Sequence, residues 1–187
     1  MLGINDLRAG VVYKDRDEPY LILWSNFLRM AQRKPVRQAK AKNLITGKII
    51  EVSFKLDAHF EEADVQRVKS TYLYHDDANA TFMDGMTYDQ VSIGMDSVKD
   101  MLQYLIEGTE VTLVVFEGKP ISVELPKKVE LKVTETADVV RGDTAQGAVL
   151  KDATVENGSV VKVPMFIKQG DKIRINTDSG EYVERVS

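Results

Sequence analysis

One alternating stretch decides the fold class of this chain: Val36-Arg37-Gln38-Ala39-Lys40-Ala41-Lys42. Successive side chains of a β-strand point to opposite faces, whereas the apolar residues on one face of a helix recur every three or four positions. Read as a strand, the stretch places Arg37, Ala39 and Ala41 on one face and its lysines on the other. It therefore predicts a strand with one face of mostly small residues and one basic face.

The residues before this strand predict a long hairpin. Trp24 to Arg29 also has an extended pattern, so Met30 to Pro35 would form an exposed tip between two strands. From Arg29 to Lys42 there are six basic residues and no acidic one, and we call these six the basic finger: Arg29, Arg33, Lys34, Arg37, Lys40 and Lys42. Six like charges repel one another, which favours a polyanionic partner. The alternative is a solvated edge strand whose lysines only block aggregation.

The rest of the chain also favours β-structure. Apolar and β-branched residues alternate in short runs, and Gly, Asp, Asn or Pro clusters interrupt them about every ten residues. Apolar residues recur at helical spacing in one segment, at Met95, Val98, Leu102 and Leu105. This segment predicts a short helix, with Asp96 as its N-cap and Gly108 as its stop. One short helix inside a β-barrel is typical of OB-folds. The expected class is therefore all-β.

Two polar interruptions predict three small barrels. The strand pattern lapses at residues 57–64, and Pro126-Lys127-Lys128 marks a second joint. The expected domains are 1–64, 65–127 and 128–187. A chain of 187 residues has room for either one large domain or two to three small ones, so its length alone does not choose between them.

Composition excludes several classes of protein. With 43% apolar and 29% charged residues, the chain has the make-up of a folded, water-exposed protein. It has no cysteine and two histidines, so we expect neither a disulfide nor a metal site. No apolar run reaches the roughly 18 residues of a membrane span, and the first residues lack the pattern of a signal peptide. We expect a cytoplasmic protein without a membrane partner.

The distribution of charge matters more than the net charge of −4. Residues 65–127 carry ten acidic and five basic side chains, a local charge of −5, whereas the basic finger carries six positive charges. This asymmetry suits a protein that presents one tip, rather than its whole surface, to a polyanion such as nucleic acid.

Motifs for catalysis are missing from the sequence. There is no GxGxxG or GxxxxGK[ST] loop to hold a phosphate, and neither His59 nor His75 lies in a catalytic or metal-binding pattern. The acidic clusters near Glu61 and Asp76 could supply a general acid and base, but their polar surroundings favour solvated loop charges. We therefore expect a protein that is not an enzyme and needs no cofactor.

Several short motifs recur in one order along nearly the whole chain. Together they resemble the bacterial elongation factor P family: Leu7-Arg8-Ala9-Gly10, Glu18-Pro19-Tyr20, Leu44-Ile45-Thr46-Gly47, Thr71-Tyr72-Leu73-Tyr74, Phe82-Met83-Asp84, Gly118-Lys119-Pro120-Ile121-Ser122-Val123, Arg141-Gly142-Asp143-Thr144-Ala145, Val163-Pro164-Met165-Phe166-Ile167 and Ser179-Gly180-Glu181-Tyr182-Val183-Glu184-Arg185. Each motif is weak alone, and the ordered set is specific.

The resemblance implies an SH3-like N-terminal barrel followed by two OB-fold barrels in an L-shaped arrangement. It also implies a monomeric factor that binds the ribosome between the peptidyl and exit sites and contacts the peptidyl transfer RNA. Family members promote peptide bond formation when consecutive prolines stall it. Such a factor can lower the barrier by positioning the reactants, without donating a catalytic group.

The tip of the hairpin departs from the family pattern. The resemblance implies a Pro-Gly-Lys-Gly tip whose lysine is often modified, or an arginine at that place that is glycosylated, and here Met30-Ala31-Gln32-Arg33 occupies it. Gln32 falls at the modified position. We expect a factor that acts unmodified, in which Gln32 donates hydrogen bonds to the acceptor end of the transfer RNA while Arg33 and Lys34 supply charge. The alternative is that Arg33 is the modified residue.

Two further contacts follow from the resemblance, both in the last domain. A loop that approaches messenger RNA in the exit site matches Gly142, Asp143, Thr144 and Ala145. Tyr182 and Arg185 match a terminal motif that could contact ribosomal or messenger RNA, although Tyr182 could equally pack inside the barrel.

Two other functions remain open on the sequence. A single-stranded RNA chaperone would use the same OB-folds away from the ribosome. A hydrolase would use Glu61 or Asp76 as an acid or base.

Overall fold

The computed structural model describes residues 1–28, 36–55, 57–137 and 150–186. These residues form β-strands joined by short turns, together with two short 3-10 helices. The all-β expectation is confirmed. Among the described residues, no helix is long and apolar enough to cross a membrane.

The first sheet has six antiparallel strands: β1 (Leu2–Gly3), β2 (Val12–Asp15), β3 (Glu18–Leu28), β4 (Val36–Asn43), β5 (Ile49–Lys55) and β6 (His59–Glu62). Their spatial order is β1-β6-β2-β3-β4-β5. Alternate side chains enter one core, where Tyr13 makes edge-to-face contacts with Phe54 and Phe60 at 5.6 and 5.3 Å between ring centroids. Small residues on β4 leave room for these rings, since Ala39 and Ala41 are buried beneath them in the same cluster.

The second sheet is built from β7 (Val65–His75), β8 (Asn79–Asp84), β9 (Gln90–Gly94), β10 (Glu110–Phe116) and β11 (Lys119–Glu124), in the order β11-β10-β7-β8-β9. The turn from β10 to β11 has positive φ at both central residues, 49° at Glu117 and 77° at Gly118. Such a turn matches the twist of the two strands it joins. A tight hairpin therefore joins β10 to β11.

The short helix predicted for the second barrel is present as two 3-10 helices, Met95–Ser97 and Lys99–Tyr104, but both of its predicted ends were wrong. The second helix ends at Tyr104, before Gly108. Gly94 precedes the first of them without a side-chain cap, so Asp96 is not an N-cap. Val98 and Leu105 are buried, so the spacing of the apolar residues predicted correctly which side chains are buried. The backbone is wound more tightly than that of an α-helix.

The third sheet contains β12 (Lys128–Thr136), β13 (Leu150–Val155), β14 (Val160–Pro164), β15 (Lys172–Asn176) and β16 (Tyr182–Val186). The strands are antiparallel in the order β14-β13-β12-β15-β16. Its core is a cluster of buried branched side chains: Val129, Leu131, Val133, Val155, Val161, Val163, Ile167, Ile173 and Ile175. Such residues suit a half-buried pleated surface.

The chain divides into two compact units, one of residues 1–68 with 113–123 and the other of residues 69–112 with 124–187. The three domains expected at 1–64, 65–127 and 128–187 remain a prediction.

Candidate nucleic-acid interface

The hairpin of β3 and β4 carries the described part of the basic finger. The strands pair from Tyr20 opposite Asn43 to Leu28 opposite Val36. On β4, Ala39 and Ala41 are buried while Gln38, Lys40 and Lys42 are exposed. The two faces that the alternating stretch predicted are therefore present, and the lysines share the outer one.

The tip itself lies outside the described residues. Arg29, Gln32, Arg33 and Lys34 belong to the segment 29–35. The expected contact of these residues with transfer RNA stays a prediction from the sequence.

Arg37 differs from the two lysines of the finger because it lies on the inner face. Its guanidinium donates one hydrogen bond to the Leu7 carbonyl oxygen at 3.1 Å and another to the Ser25 hydroxyl at 2.9 Å. It also lies 6.0 Å from the centroid of the Phe27 ring. These contacts hold Arg37 in a structural role near the loop end of the paired strands, where it lies opposite Phe27. Lys40 and Lys42 are therefore the described finger residues that face solvent.

On the outer face, side chains from three strands form cross-strand rows. In one row Trp24 lies opposite Lys40, which lies opposite Glu51, and the Lys40 Nζ is 3.2 Å from the Glu51 Oε1. In the next row Asn26 lies opposite Gln38. Side chains directly opposite in an antiparallel pair are close neighbours, so the members of each row lie side by side on the outer face.

The sequence interpretation missed the exposure of Trp24. A bulge shifts the register of β3 between Ile22 and Trp24. Ile22 is fully buried, whereas Leu23 and Trp24 are both exposed at the surface. The signal in the sequence was the run of apolar residues from Leu21 to Trp24, which breaks the alternation and is what a bulge with one extra residue produces.

The residues expected to contact RNA in the last domain are only partly described. Gly142, Asp143, Thr144 and Ala145 lie outside the described residues. Tyr182 is half-buried against the core of the third sheet, and this burial raises the pKa of its hydroxyl. Arg185 is exposed, with its Nη1 3.8 Å from the Asp171 Oδ2. Tyr182 thus packs partly against the barrel, and its contact with RNA stays a prediction.

The acidic groups considered for hydrolysis lie at the surface, Asp76 in a turn and Glu61 on a strand. The Asp76 carboxylate accepts hydrogen bonds from the backbone N–H groups of Asn79 and Ala78, at 2.7 and 2.8 Å, and these bonds lower its pKa. A general acid needs the opposite shift, since it must hold its proton near neutral pH. Glu61 is exposed on β6. Neither group has the surroundings of an acid catalyst.

Models of three protein domains match the chain in sequence order. The KOW-like domain of elongation factor P matches residues 3–60, the OB domain of elongation factor P matches 65–123, and the C-terminal domain of elongation factor P matches 129–185. Together with the three sheets, these matches define a translation factor with an SH3-like N-terminal barrel followed by two OB-fold barrels. The chain belongs to the elongation factor P family.

Individual relatives match along nearly their full length. Elongation factor P 2 of Chlamydia trachomatis serovar D is 41% identical over 186 residues, which cover 100% of this chain and 98% of that protein. Elongation factor P of Aquifex aeolicus is 37% identical over 185 residues, with 99% and 96% covered. A solved structure of translation initiation factor 5A from Methanococcus jannaschii has a TM-score of 0.50 at 13% identity and covers 67% of this chain and 90% of that one, which shows likeness of fold. The family consists of translation factors rather than classical enzymes.

Proposed function

We propose that this protein binds the ribosome between the peptidyl and exit sites and promotes peptide bond formation at consecutive prolines by positioning the peptidyl transfer RNA. Three family models covering most of the chain in order carry the proposal. The protein acts in the cytoplasm as a monomer, without a cofactor. Proline is a rigid acceptor, and a factor that orients it reduces the entropic part of the barrier.

The charge pattern of the hairpin supports a transfer RNA partner. Lys40 and Lys42 face solvent on one strand, and the sequence adds Arg29, Arg33 and Lys34 within a segment that has no acidic residue. Each lysine or arginine that approaches a phosphate releases a counterion, so a basic hairpin binds RNA in a salt-dependent manner. The resemblance assigns contacts with exit-site messenger RNA to Gly142 and Asp143, which lie outside the described residues, and to Arg185, which is exposed.

We also propose that the tip acts without modification. Gln32 stands where the resemblance places the modified lysine. Its amide supplies two hydrogen-bond donors and no charge, so Arg33 and Lys34 provide the attraction to phosphate. Mass measurement of the peptide spanning residues 30–37, taken from protein purified from its own host, tests this step. An added mass on that peptide, on Arg33 or elsewhere, would contradict it.

A reconstituted translation reaction tests the main proposal. Synthesis of a message with a proline repeat should speed up when the protein is added, whereas a message without the repeat should be unaffected. Equal rates with and without the protein on the proline message would refute the proposal.

The second candidate is an RNA chaperone that acts away from the ribosome through its OB-folds. Sedimentation separates the two functions. The chaperone should bind isolated oligonucleotides through aromatic stacking worth about 1–3 kcal/mol per base, while the elongation factor should pellet with ribosomes that carry a peptidyl transfer RNA.

A further inference from the structure

Trp24 lies on the solvent side of β3 and does not belong to the core cluster of the first sheet among the described residues. It is the only tryptophan of the sequence, and it is 47% exposed. Tryptophan offers the largest flat aromatic surface of any side chain, and proteins usually shelter most of it. Its directly paired neighbour on the hairpin is the exposed Lys40, not an apolar residue.

A shallow recess lies beside this ring. Its lining includes Trp24 together with Gln38, Lys40, Glu51 and Ser53. The amide of Gln38 offers both donors and acceptors of hydrogen bonds, and the Ser53 hydroxyl offers one donor. An aromatic wall beside amide and hydroxyl groups is the combination that holds an unstacked nucleobase, by stacking on its face and by hydrogen bonds to its edge.

The charge of this outer face selects a polyanion over a protein partner. Three lysines, Lys40, Lys42 and Lys55, alternate to the outside of β4 and β5, against one glutamate in the same rows, Glu51. The rows continue toward the hairpin end of β4, where Val36 lies opposite Lys55. Proteins that bind single-stranded nucleic acid combine basic residues, which contact the phosphates, with aromatic rings, on which the bases stack.

We propose that Trp24 is a stacking site for an unpaired nucleotide at the acceptor end of the transfer RNA, with Lys40 and Lys42 holding the adjoining phosphates. The proposal rests on the proposed function, since that function brings this hairpin to the transfer RNA. It adds a second RNA contact, on the side of the hairpin rather than at the tip. This contact requires neither a charged residue at position 32 nor any modification there.

Fluorescence of the single tryptophan gives a direct test. The probes are an RNA stem-loop that ends in unpaired 3′ nucleotides and the same stem-loop with a blunt end. Stacking of a base on the indole should quench the emission of Trp24 with the first RNA and leave it unchanged with the second. Quenching by both RNAs would overturn the proposal because it would show that Trp24 does not recognise an unpaired 3′ end. Quenching by neither would overturn it in favour of a peptide or protein in the recess.

Substitutions of Trp24 distinguish the effect of aromatic stacking from the effect of side-chain volume. With fluorescently labelled RNA, Trp24→Leu should weaken binding of the tailed stem-loop by roughly 5- to 150-fold, the range expected for loss of one base–aromatic stack. Trp24→Phe keeps an aromatic face and should retain most of the affinity. Equal affinities for the leucine and phenylalanine variants would contradict a stacking role. Thermal unfolding of both variants checks that this exposed site leaves the fold intact.

The ion pair of Lys40 with Glu51 gives an independent test of the phosphate contact. Glu51→Gln frees Lys40 and removes a negative charge, so binding of the tailed stem-loop should tighten and become steeper in salt. Asp152→Asn removes the partner of Lys162 in another surface pair, on the third sheet, and serves as the matched control. The same tightening in both variants would show a general charge effect and refute the local contact.

Translation of the proline message separates this proposal from the function on which it rests. If the unaltered protein does not speed that synthesis, the proposed function fails whatever Trp24 does. If the unaltered protein speeds it and Trp24→Leu does so equally well, the stacking site alone fails. A slower rate with Trp24→Leu and a near-normal rate with Trp24→Phe supports both.

Discussion

Lys14 and Glu117 form an ion pair within one compact unit, although 103 residues separate them in the sequence. The Lys14 Nζ lies 2.8 Å from the Glu117 Oε1 and 3.2 Å from the Asp17 Oδ1. The same ammonium lies 5.9 Å from the centroid of the Phe116 ring. The pair therefore links β2 to the turn between β10 and β11, and it involves a lysine side chain that is only 17% exposed.

This ion pair predicts a loss of stability in alkaline solution. Hydrogen bonds to Glu117, which have the larger effect, and to Asp17 raise the pKa of Lys14 from 10.5 to about 12. Because the folded pKa is the higher one, the stabilisation is complete below pH 10.5 and disappears as the pH rises through about 12. Lys14→Met should lower the melting temperature below pH 10.5 and should differ less from the unaltered protein as the pH approaches 12.

Lys162→Met is the control for that titration. Lys162 also pairs with an acid, Asp152 at 2.9 Å, but its side chain is 70% exposed. Exposed pairs contribute little because solvent screens them. The measurement is the melting temperature of both variants at several pH values. Equal decreases in melting temperature for the two variants would contradict a special role for Lys14.

Gly85 is predicted to be intolerant of a side chain. A Cβ added there would lie 2.8 Å from the backbone oxygen of Lys69, which already accepts a hydrogen bond from the Gly85 N–H at 2.9 Å. Backbone cannot move aside as a flexible side chain can, so Gly85→Ala should lower the free energy of unfolding by about 1–3 kcal/mol. Denaturant titration measures this loss.

Gly94→Ala is the matched substitution for Gly85→Ala. Gly94 has no atom within 4 Å of an added Cβ, and its φ of −57° is open to any residue. Its effect on the free energy of unfolding should stay within about 0.5 kcal/mol, as for other surface changes. A loss at Gly94 as large as the loss at Gly85 would show that the close approach to Lys69 is not the cause.

Asn157 is predicted to hold the turn between β13 and β14 against the second 3-10 helix. Its side-chain amide donates a hydrogen bond to the Gln103 carbonyl oxygen at 2.7 Å, and its Oδ1 accepts one from the Ser159 N–H at 3.1 Å. Asn157→Asp replaces the donor with an oxygen that faces a carbonyl. The lost bond and the new repulsion should lower the free energy of unfolding by about 1–3 kcal/mol.

Asn5→Asp tests whether added charge alone explains such a loss. Asn5 is exposed in the first turn of the chain, and its side chain has no hydrogen bond among the described residues. The substitution adds the same charge and should change the free energy of unfolding by less than about 0.5 kcal/mol. Similar losses for the two variants would refute a bridging role for Asn157.

Local patterns predicted local structure well in this protein. Alternation at residues 36–42 predicted both faces of β4, because burial of one face fixes the register of a strand. Gly118 occupies the turn between β10 and β11 at a positive φ, which glycine adopts without steric cost. The ordered motifs predicted the family.

The features that the sequence did not predict depend on one extra residue or on distant partners. The bulge before Trp24 turns that side chain outward, and alternation takes no account of such an insertion. Helical spacing identified Val98 as buried but cannot distinguish an α-helix from the 3-10 helices on either side of it. The inward position of Arg37 depends on the Leu7 carbonyl, which only the folded chain brings within 3.1 Å.

Arg33 and Lys34 give the final prediction, which concerns the tip of the basic finger. Changing both to alanine removes two of the six positive charges of that segment and should slow synthesis through consecutive prolines, because fewer phosphate contacts hold the hairpin on the transfer RNA. The melting temperature should hardly change, since tip residues add little to stability. Lys162→Ala combined with Lys151→Ala removes the same charge from β13 and β14 and should leave the rate unaltered. An unchanged rate for the Arg33 and Lys34 variant would exclude these two residues from the mechanism, and an equal slowing by the control would mean that net charge alone governs the rate.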